Sequence, residues 1–406
     1  MIKKILLSGF ILLSLHSFAQ EGTASPYSYY GIGVVKFQGT VENKSMGGLG
    51  ILPDSIHINL QNPASLSALK FTQFSVGGTY NTVRLKNETD TEKARRTTLD
   101  YLVMAFPAKK MAVSFGLMPY SSVGYKIEKI TAFSTSRYSG RGGVNKVFVG
   151  AGYKIMPKLS VGLDLGYNFG RIERKSQVGI NDVQNGIGEV RTSQVSGMSL
   201  NTGVIYKSKF KKYDFVSSFT LSPTTNLTSR NTEFLSTIPF TPTSGSSKES
   251  VIADSKIKIP SKLTFGAGLG EIRKWFVGFE STFQGSSSYG NIYDTNVTFE
   301  SARKLTLGGY YTPDYNSFSN YYKKVTYRAG LRYENTGLVV NARSINDTAL
   351  TLGLGLPVGG TVSSLNIGME YGKRGTTNAE LIQENYLNIS IGLSFSDRWF
   401  VKRKFD

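Results

Sequence analysis

Three stretches of the chain alternate apolar residues with small or polar ones at a period of two. Leu159, Val161, Leu163, Leu165, Tyr167 and Phe169 alternate with Ser160, Gly162, Asp164, Gly166, Asn168 and Gly170. Leu263, Phe265, Ala267 and Leu269 stand against Thr264, Gly266, Gly268 and Gly270, and Leu365, Ile367, Met369 and Tyr371 against Asn366, Gly368 and Glu370. Successive side chains of a strand point to opposite faces, so each stretch reads as a strand with one apolar face and one small or polar face. A soluble sandwich alternates too. The chain's 44 glycines, 24 Phe and 23 Tyr, with polar faces this rich in Gly, fit instead an all-β transmembrane antiparallel β-barrel, whose strands show apolar side chains to lipid and polar ones to the lumen.

Loop lengths give a count, because outer-membrane barrels keep both termini in the periplasm and alternate short periplasmic turns with longer outer loops. Short turns are expected at 107–110, 156–158, 208–212, 270–274 and 357–360, with a looser one at 313–323. Outer loops are expected at 86–96, 134–145, 177–189, 230–255, 285–300, 335–348 and 373–382. Together they join about 14 strands, within the range such barrels span. The third strand, 111–133, is interrupted by Pro119 and Gly124, and a ladder that loses a donor at Pro is expected to kink or bulge there. The last strand, 386–395, sets Leu387, Ile389, Ile391, Leu393 and Phe395 on one face, with Trp399 and Phe400 following at the membrane interface.

At the start of the chain Lys3 and Lys4 precede an apolar run from Ile5 to Leu15 and then Ser17-Phe18-Ala19. This is the pattern of a secretory signal, with cleavage expected after Ala19. The run is too short for the roughly 20 residues of a spanning helix. Removal of 1–19 takes two lysines and no acidic residue, so the net charge falls from +19 to +17. An exported chain of this charge has no expected nucleic-acid partner, and outer-membrane lipids answer the charge more naturally. Basic residues such as Lys109, Lys110, Lys158, Lys211 and Lys212 gather at the short turns. Cysteine is absent and His57 is the one histidine left after cleavage, with only Asp54 near it in sequence. No catalytic residue, metal site or cofactor is expected, and the chain is not expected to be an enzyme. Asp164, Glu280 and Glu370 are expected to face the lumen, with Lys154 opposite in sign.

Residues 20–70 precede the barrel, 71–406, and are expected to form a plug within the lumen. Two elements of this segment, Met46-Gly47-Gly48-Leu49-Gly50 and Asn62-Pro63-Ala64-Ser65-Leu66, resemble the plug region of the FadL-type long-chain fatty acid transporters. Gly140 to Gly143, leading into Val147-Phe148-Val149-Gly150, is similar to the same superfamily, and the ends, 25–31 and 398–404, look like those of Bacteroidota outer-membrane proteins. The resemblance implies a 14-stranded barrel with an N-terminal plug carrying Gly47, Gly48, Asn62, Pro63 and Ala64. It also implies a lateral exit at the third strand, placed here at Pro119, Ser121, Ser122 and Gly124. Two functions follow: passive uptake of a hydrophobic small-molecule ligand, or a non-enzymatic barrel subunit partnering an outer-membrane secretion or assembly machine. The hydrophobic and aromatic positions of 230–255 offer such a protein partner a surface.

Overall fold

The computed structural model describes residues 22–183, 185–239, 247–287, 296–317, 320–358 and 363–397. Segment 1–19, expected to be a signal peptide, and the terminal Trp399, Phe400, Lys402, Arg403 and Lys404 lie outside the described residues.

Alternation becomes a closed ring of 14 antiparallel strands. They are β1 (Thr72–Lys86), β2 (Thr91–Ala108), β3 (Met111–Ile130), β4 (Ser134–Met156), β5 (Leu159–Ile180), β6 (Asn185–Phe210) and β7 (Tyr213–Ser222 with Thr225–Pro239). They continue with β8 (Ser247–Ile259 with Lys262–Glu271), β9 (Trp275–Gln284), β10 (Val297–Phe299 with Ala302–Tyr311), β11 (Thr326–Val340), β12 (Arg343–Pro357), β13 (Ser364–Arg374) and β14 (Gln383–Asp397). Each strand pairs with its sequence neighbours, and β14 closes the ring on β1 from Asp397↔Thr72 to Gln383↔Lys86. The breaks within β7 and β8 fall at Pro223 and Pro260, where the ladder lacks a donor.

The apolar face points out. On β5, Leu163, Leu165, Tyr167 and Phe169 are exposed, as are Leu350, Leu352 and Leu354 on β12 and Ile389, Ile391, Leu393 and Phe395 on β14. An apolar belt that runs round a closed ring has no place in water and every reason to face lipid. No helix among the described residues is long and apolar enough to cross a membrane.

The expected short turns at 107–110, 156–158, 208–212 and 270–274 are found, those at 313–323 and 357–360 lie partly outside the described residues, and β3 ends at Ile130 rather than at 133. The expected outer loops are mostly strand. Residues 134–145 belong to β4, 185–189 to β6, 230–239 and 247–255 to β7 and β8, and 335–340 with 343–348 to β11 and β12, leaving tight turns such as 131–133 and 341–342. Phe240 lies outside the described residues. The reason is physical: beyond the lipid band both faces of a strand meet polar surroundings, so the hydrophobic alternation fades while the hydrogen-bonded ladder continues.

Candidate functional site: the lumen and the open wall seam

Residues 22–70 touch the inward faces of strands all round the ring. The backbone of Met46 lies where a Cβ on Gly308 (β10) or Gly330 (β11) would stand 2.2 Å away. Ser45 meets Gly353 and Gly368 on β12 and β13, Ile51 meets Gly266 and Gly278 on β8 and β9, and Pro63 meets Gly152 and Gly162 on β4 and β5. The small residues that alternate with the apolar belt are thus the floor on which this segment rests, and the segment lies inside the barrel. Its apolar side chains, among them Ile32, Val41, Leu49, Ile51, Ile58 and Leu66, are buried there. Burial of such side chains contributes about 1.5–3 kcal/mol each.

Of the residues expected to form a plug, Gly47, Asn62, Pro63 and Ala64 meet the wall. Gly47 donates its N–H to Thr351 Oγ1 at 2.8 Å, and its φ of +72° is a conformation open to Gly. Asn62 caps a short 3₁₀ turn, Pro63–Ala68, accepting from the Ala64 N–H at 3.0 Å, with Pro at the first position where no donor is needed. Gly48 lies beside Phe37 within the segment.

The wall opens between two neighbouring strands. β2 and β3 pair over seven residues, from Ala108↔Met111 to Leu102↔Leu117, and then part. β2 runs on to Thr91 bonded to β1 alone, and β3 runs on to Ile130 bonded to β4. Each strand carries an extra residue where they separate: Asp100 between the pairs Gly77↔Tyr101 and Gly78↔Leu99, and Tyr120 between Pro119↔Asn145 and Ser121↔Val144. A bulge bends its strand and increases local twist, so two facing bulges drive the strands apart. The adjoining Gly142 on β4, at φ +106°, follows the same distortion.

The freed edge of β3 is taken by the N-terminal segment. Val34 and Val35 pair with Ser122 and Ser121. Lys36 N–H donates to the Tyr120 carbonyl at 2.9 Å and Gln38 Nε2 to the Pro119 carbonyl at 2.9 Å. Ser121 Oγ donates to the Ile32 carbonyl at 2.8 Å, and the Gly124 N–H donates to Ser28 Oγ at 3.0 Å. Pro119, Ser121, Ser122 and Gly124 are therefore brought together at one edge, apart from Gly47, Gly48 and the Asn62-Pro63-Ala64 turn.

A lumen cavity of about 360 Å³ reaches this seam. Thr98 and Asp100 of β2, Met118, Pro119 and Tyr120 of β3, and Val34 to Gln38 line one side of it. Ion pairs line it as well. Lys146 meets Asp164 at 2.5 Å, Arg332 meets Glu370 at 2.9 Å, and Arg374 lies 2.6 Å from Asp347 and 3.5 Å from Glu384. Glu280 accepts from the Gly50 N–H at 2.9 Å. Asp164, Glu280 and Glu370 do face inward, but the cation that answers Asp164 is Lys146 and not Lys154.

His57 has more company than the sequence shows. Its Nδ1 is 2.7 Å from Asp54 Oδ2 and its Nε2 is 3.1 Å from Ser364 Oγ on β13, with Glu42 at 3.9 Å. Ser364 is 307 positions away in sequence, so no local pattern could have found it. The order Asp, His, Ser is that of a hydrolase triad, but neither His57 nor Ser364 lines the cavity and Ser364 Oγ also accepts from Asn366 Nδ2 at 3.1 Å. The cluster ties the segment to the wall. Burial pulls the His57 pKa down, but Asp54 and Glu42 outweigh it and hold it above the ordinary value. Burial would raise Asp54, yet His57 and the Ile56 and Ser55 N–H groups hold it at about 2.

A family model described as BamG matches residues 1–406. The chain belongs to the BamG family. No curated protein matches this BamG chain by sequence. Its barrel is similar to the Pseudomonas putida toluene transporter TodX, at 15% identity, covering 90% of this chain and 100% of that one with a TM-score of 0.57. A Pseudomonas aeruginosa FadL homologue is similar at 12% identity over 90% of this chain and 99% of that one, TM-score 0.57. The CymD monoaromatic hydrocarbon channel is similar at 14% identity over 90% and 99%, TM-score 0.56. At these identities the likeness establishes a shared fold.

Proposed function

We propose that the protein is a non-enzymatic outer-membrane barrel that passes a hydrophobic small molecule from outside into the lumen and then sideways through the wall. One observation carries this reading: the lumen cavity is lined by both free edges of the β2–β3 seam. In this reading 20–70 is a plug, seated by Gly47, Gly48 and the Asn62-Pro63-Ala64 turn, and the exit is bordered by Pro119, Ser121, Ser122 and Gly124. Val34 to Gln38 occupy the exit, so passage requires that stretch to leave the β3 edge. Downhill movement through such a gap needs neither cofactor nor metal. TodX and CymD, named for toluene and monoaromatic hydrocarbons, support the substrate class by analogy of fold. The likeness of the chain ends to Bacteroidota proteins and cleavage after Ala19 are part of the same proposal.

A second reading is favoured by a different observation, membership of the BamG family together with a lumen whose lining is heavily ion-paired. It makes the barrel a subunit or partner of an outer-membrane machine. Gentle detergent purification of the tagged protein from its native membrane, with mass spectrometry of the co-eluting proteins and extracted lipids, separates the two. An isolated barrel carrying a hydrophobic molecule supports the conduit; a stoichiometric protein partner without such a ligand overturns it in favour of the second reading.

A further inference from the structure

Three neighbouring strands carry a cluster of cations on the outer face of the barrel, directly beyond its apolar belt. The register places outward residues of β3, β4 and β5 in rows. Leu117, Val147 and Tyr167 share one row, and Asn145 stands beside Phe169 in the next. Gly143 then stands beside Arg171, and Arg141 faces Gly124 on one side and Glu173 on the other. Lys126, Ser139 and Lys175 follow. Two residues along a strand tilted as in such barrels rise by roughly 5 Å, so the cations begin one row beyond the stacked Tyr167 and Phe169 rings and fill the depth of a lipid headgroup layer.

Their arrangement is that of a built site. Glu173, with its side chain only 10% exposed, is 3.0 Å from Arg141, 3.8 Å from Arg171 and 3.3 Å from Lys175, while these three side chains are 63%, 64% and 47% exposed. One carboxylate shared by three cations offsets their mutual repulsion and leaves most of their donors directed outward. Gly124 and Gly143 add no side chain to the floor between them. Long basic side chains one row beyond an apolar belt keep their stems in the apolar layer and their heads at its edge.

We propose that Arg141, Arg171 and Lys175, held by Glu173, bind the phosphate of an outer-leaflet glycolipid whose acyl chains lie against Tyr167, Phe169 and Val147. The site rests on the outer-membrane placement given above and is independent of what the lumen does. Phosphate suits it because guanidinium groups match its oxygens in pairs, and because a lipid-borne phosphate at this depth meets the cations without leaving its leaflet.

The test is native mass spectrometry of the full-length protein in detergent with added monophosphoryl lipid A, its dephosphorylated form and phosphatidylcholine. The wild type is expected to retain the phosphorylated lipid about tenfold more tightly than the dephosphorylated one, as a few charge-assisted contacts would give. Arg141→Gln/Arg171→Gln/Lys175→Gln is expected to lose that preference. Lys109→Gln/Lys110→Gln/Lys212→Gln, which removes as many charges at the short turns, is expected to keep it. Heat-modifiable migration on a gel reports that each variant is folded, and Arg171→Gln alone, expected to lose part of the preference, serves if the triple variant is not. Equal retention of the two lipid A forms by the wild type, or an undiminished preference in the folded variants of the cluster, overturns the proposal. An equal loss in the short-turn variant would reduce the effect to net charge and overturns it as well.

Discussion

Two seams of the same wall behave in opposite ways. Where the ends of the chain meet, β14 and β1 pair without interruption over 15 residues, Asp397↔Thr72 to Gln383↔Lys86. Where β2 meets β3, strands of 18 and 20 residues pair over only seven. The closure has period-two apolar residues on its outer face and small or polar ones inside, with no Pro and no extra residue. The open seam has Pro119 and a surplus residue on each side. Barrel closure is thus the default of regular alternation, and a gap has to be written into the chain by residues that the ladder cannot accommodate.

The N-terminal segment repeats the contrast. Against β10 and β11, and against β4 and β5, its backbone is pressed onto glycine, whereas at β3 it is held by a two-residue ladder and a few side-chain hydrogen bonds. The largest effect is therefore expected from the glycine floor. Gly330→Leu puts a Cβ 2.2 Å from the Met46 carbonyl carbon, where backbone cannot yield cheaply, and overpacking of this kind costs about 1–3 kcal/mol or more. The expected outcome is an unseated segment, read as protease cleavage within 22–70 and a rise in single-channel conductance of the reconstituted protein. An intact, silent barrel would mean that the floor does not hold the segment.

Next in size is removal of the surplus residue. Deleting Tyr120 brings β3 back into register, so its ladder with β2 should lengthen, each added hydrogen bond contributing about 0.5–1.5 kcal/mol. Slower amide exchange in β2 above Leu102, with lower uptake, is the expected reading; unchanged exchange there would assign the gap to Asp100 instead.

A smaller effect belongs to the tether at His57. Its pKa is raised in the folded state, so its contribution to stability is complete below the ordinary value of about 6.5 and is lost as pH rises through the higher folded value. Asp54, held at about 2, works at the other limit: its contribution is present above its ordinary 3.8 and is lost as pH falls through about 2. Resistance of the segment to proteolysis should therefore be greatest between roughly pH 4 and 6.5, and His57→Leu should abolish its loss on the alkaline side. A pH profile that survives His57→Leu would place the tether elsewhere.

The smallest change is expected at the seam itself, where Gln38→Ala removes one hydrogen bond to the β3 edge and one within the segment, each about 0.5–1.5 kcal/mol, and should raise amide exchange at Val34 and Val35 without freeing residues 41–47.

Much of this was legible in residues 159–170 and their like, because a strand between lipid and a close-packed lumen must alternate. Pro119 announced a fault in the third strand for the same local reason. What the sequence could not show was which neighbour β3 would lose, since pairing beyond Leu117 depends on the bulge at Asp100 in another strand. Residues 134–145 read as loop because only Asn145 reaches the acyl-chain layer that enforces alternation, although the ladder runs through them. The Lys146–Asp164 pair spans adjacent strands, and the His57–Ser364 contact joins residues 307 positions apart, so both depend on register and closure rather than on local pattern.

The account turns on Val34 to Gln38 leaving the β3 edge to open the seam. Val35→Cys/Ser121→Cys, in a chain with no other cysteine, places two thiols on directly paired residues. Uptake of a fluorescent hydrophobic probe into proteoliposomes should stop when the disulfide forms and recover on reduction. Uptake that is the same in the oxidised and reduced protein would contradict the account, because the molecule would then be taking another way out.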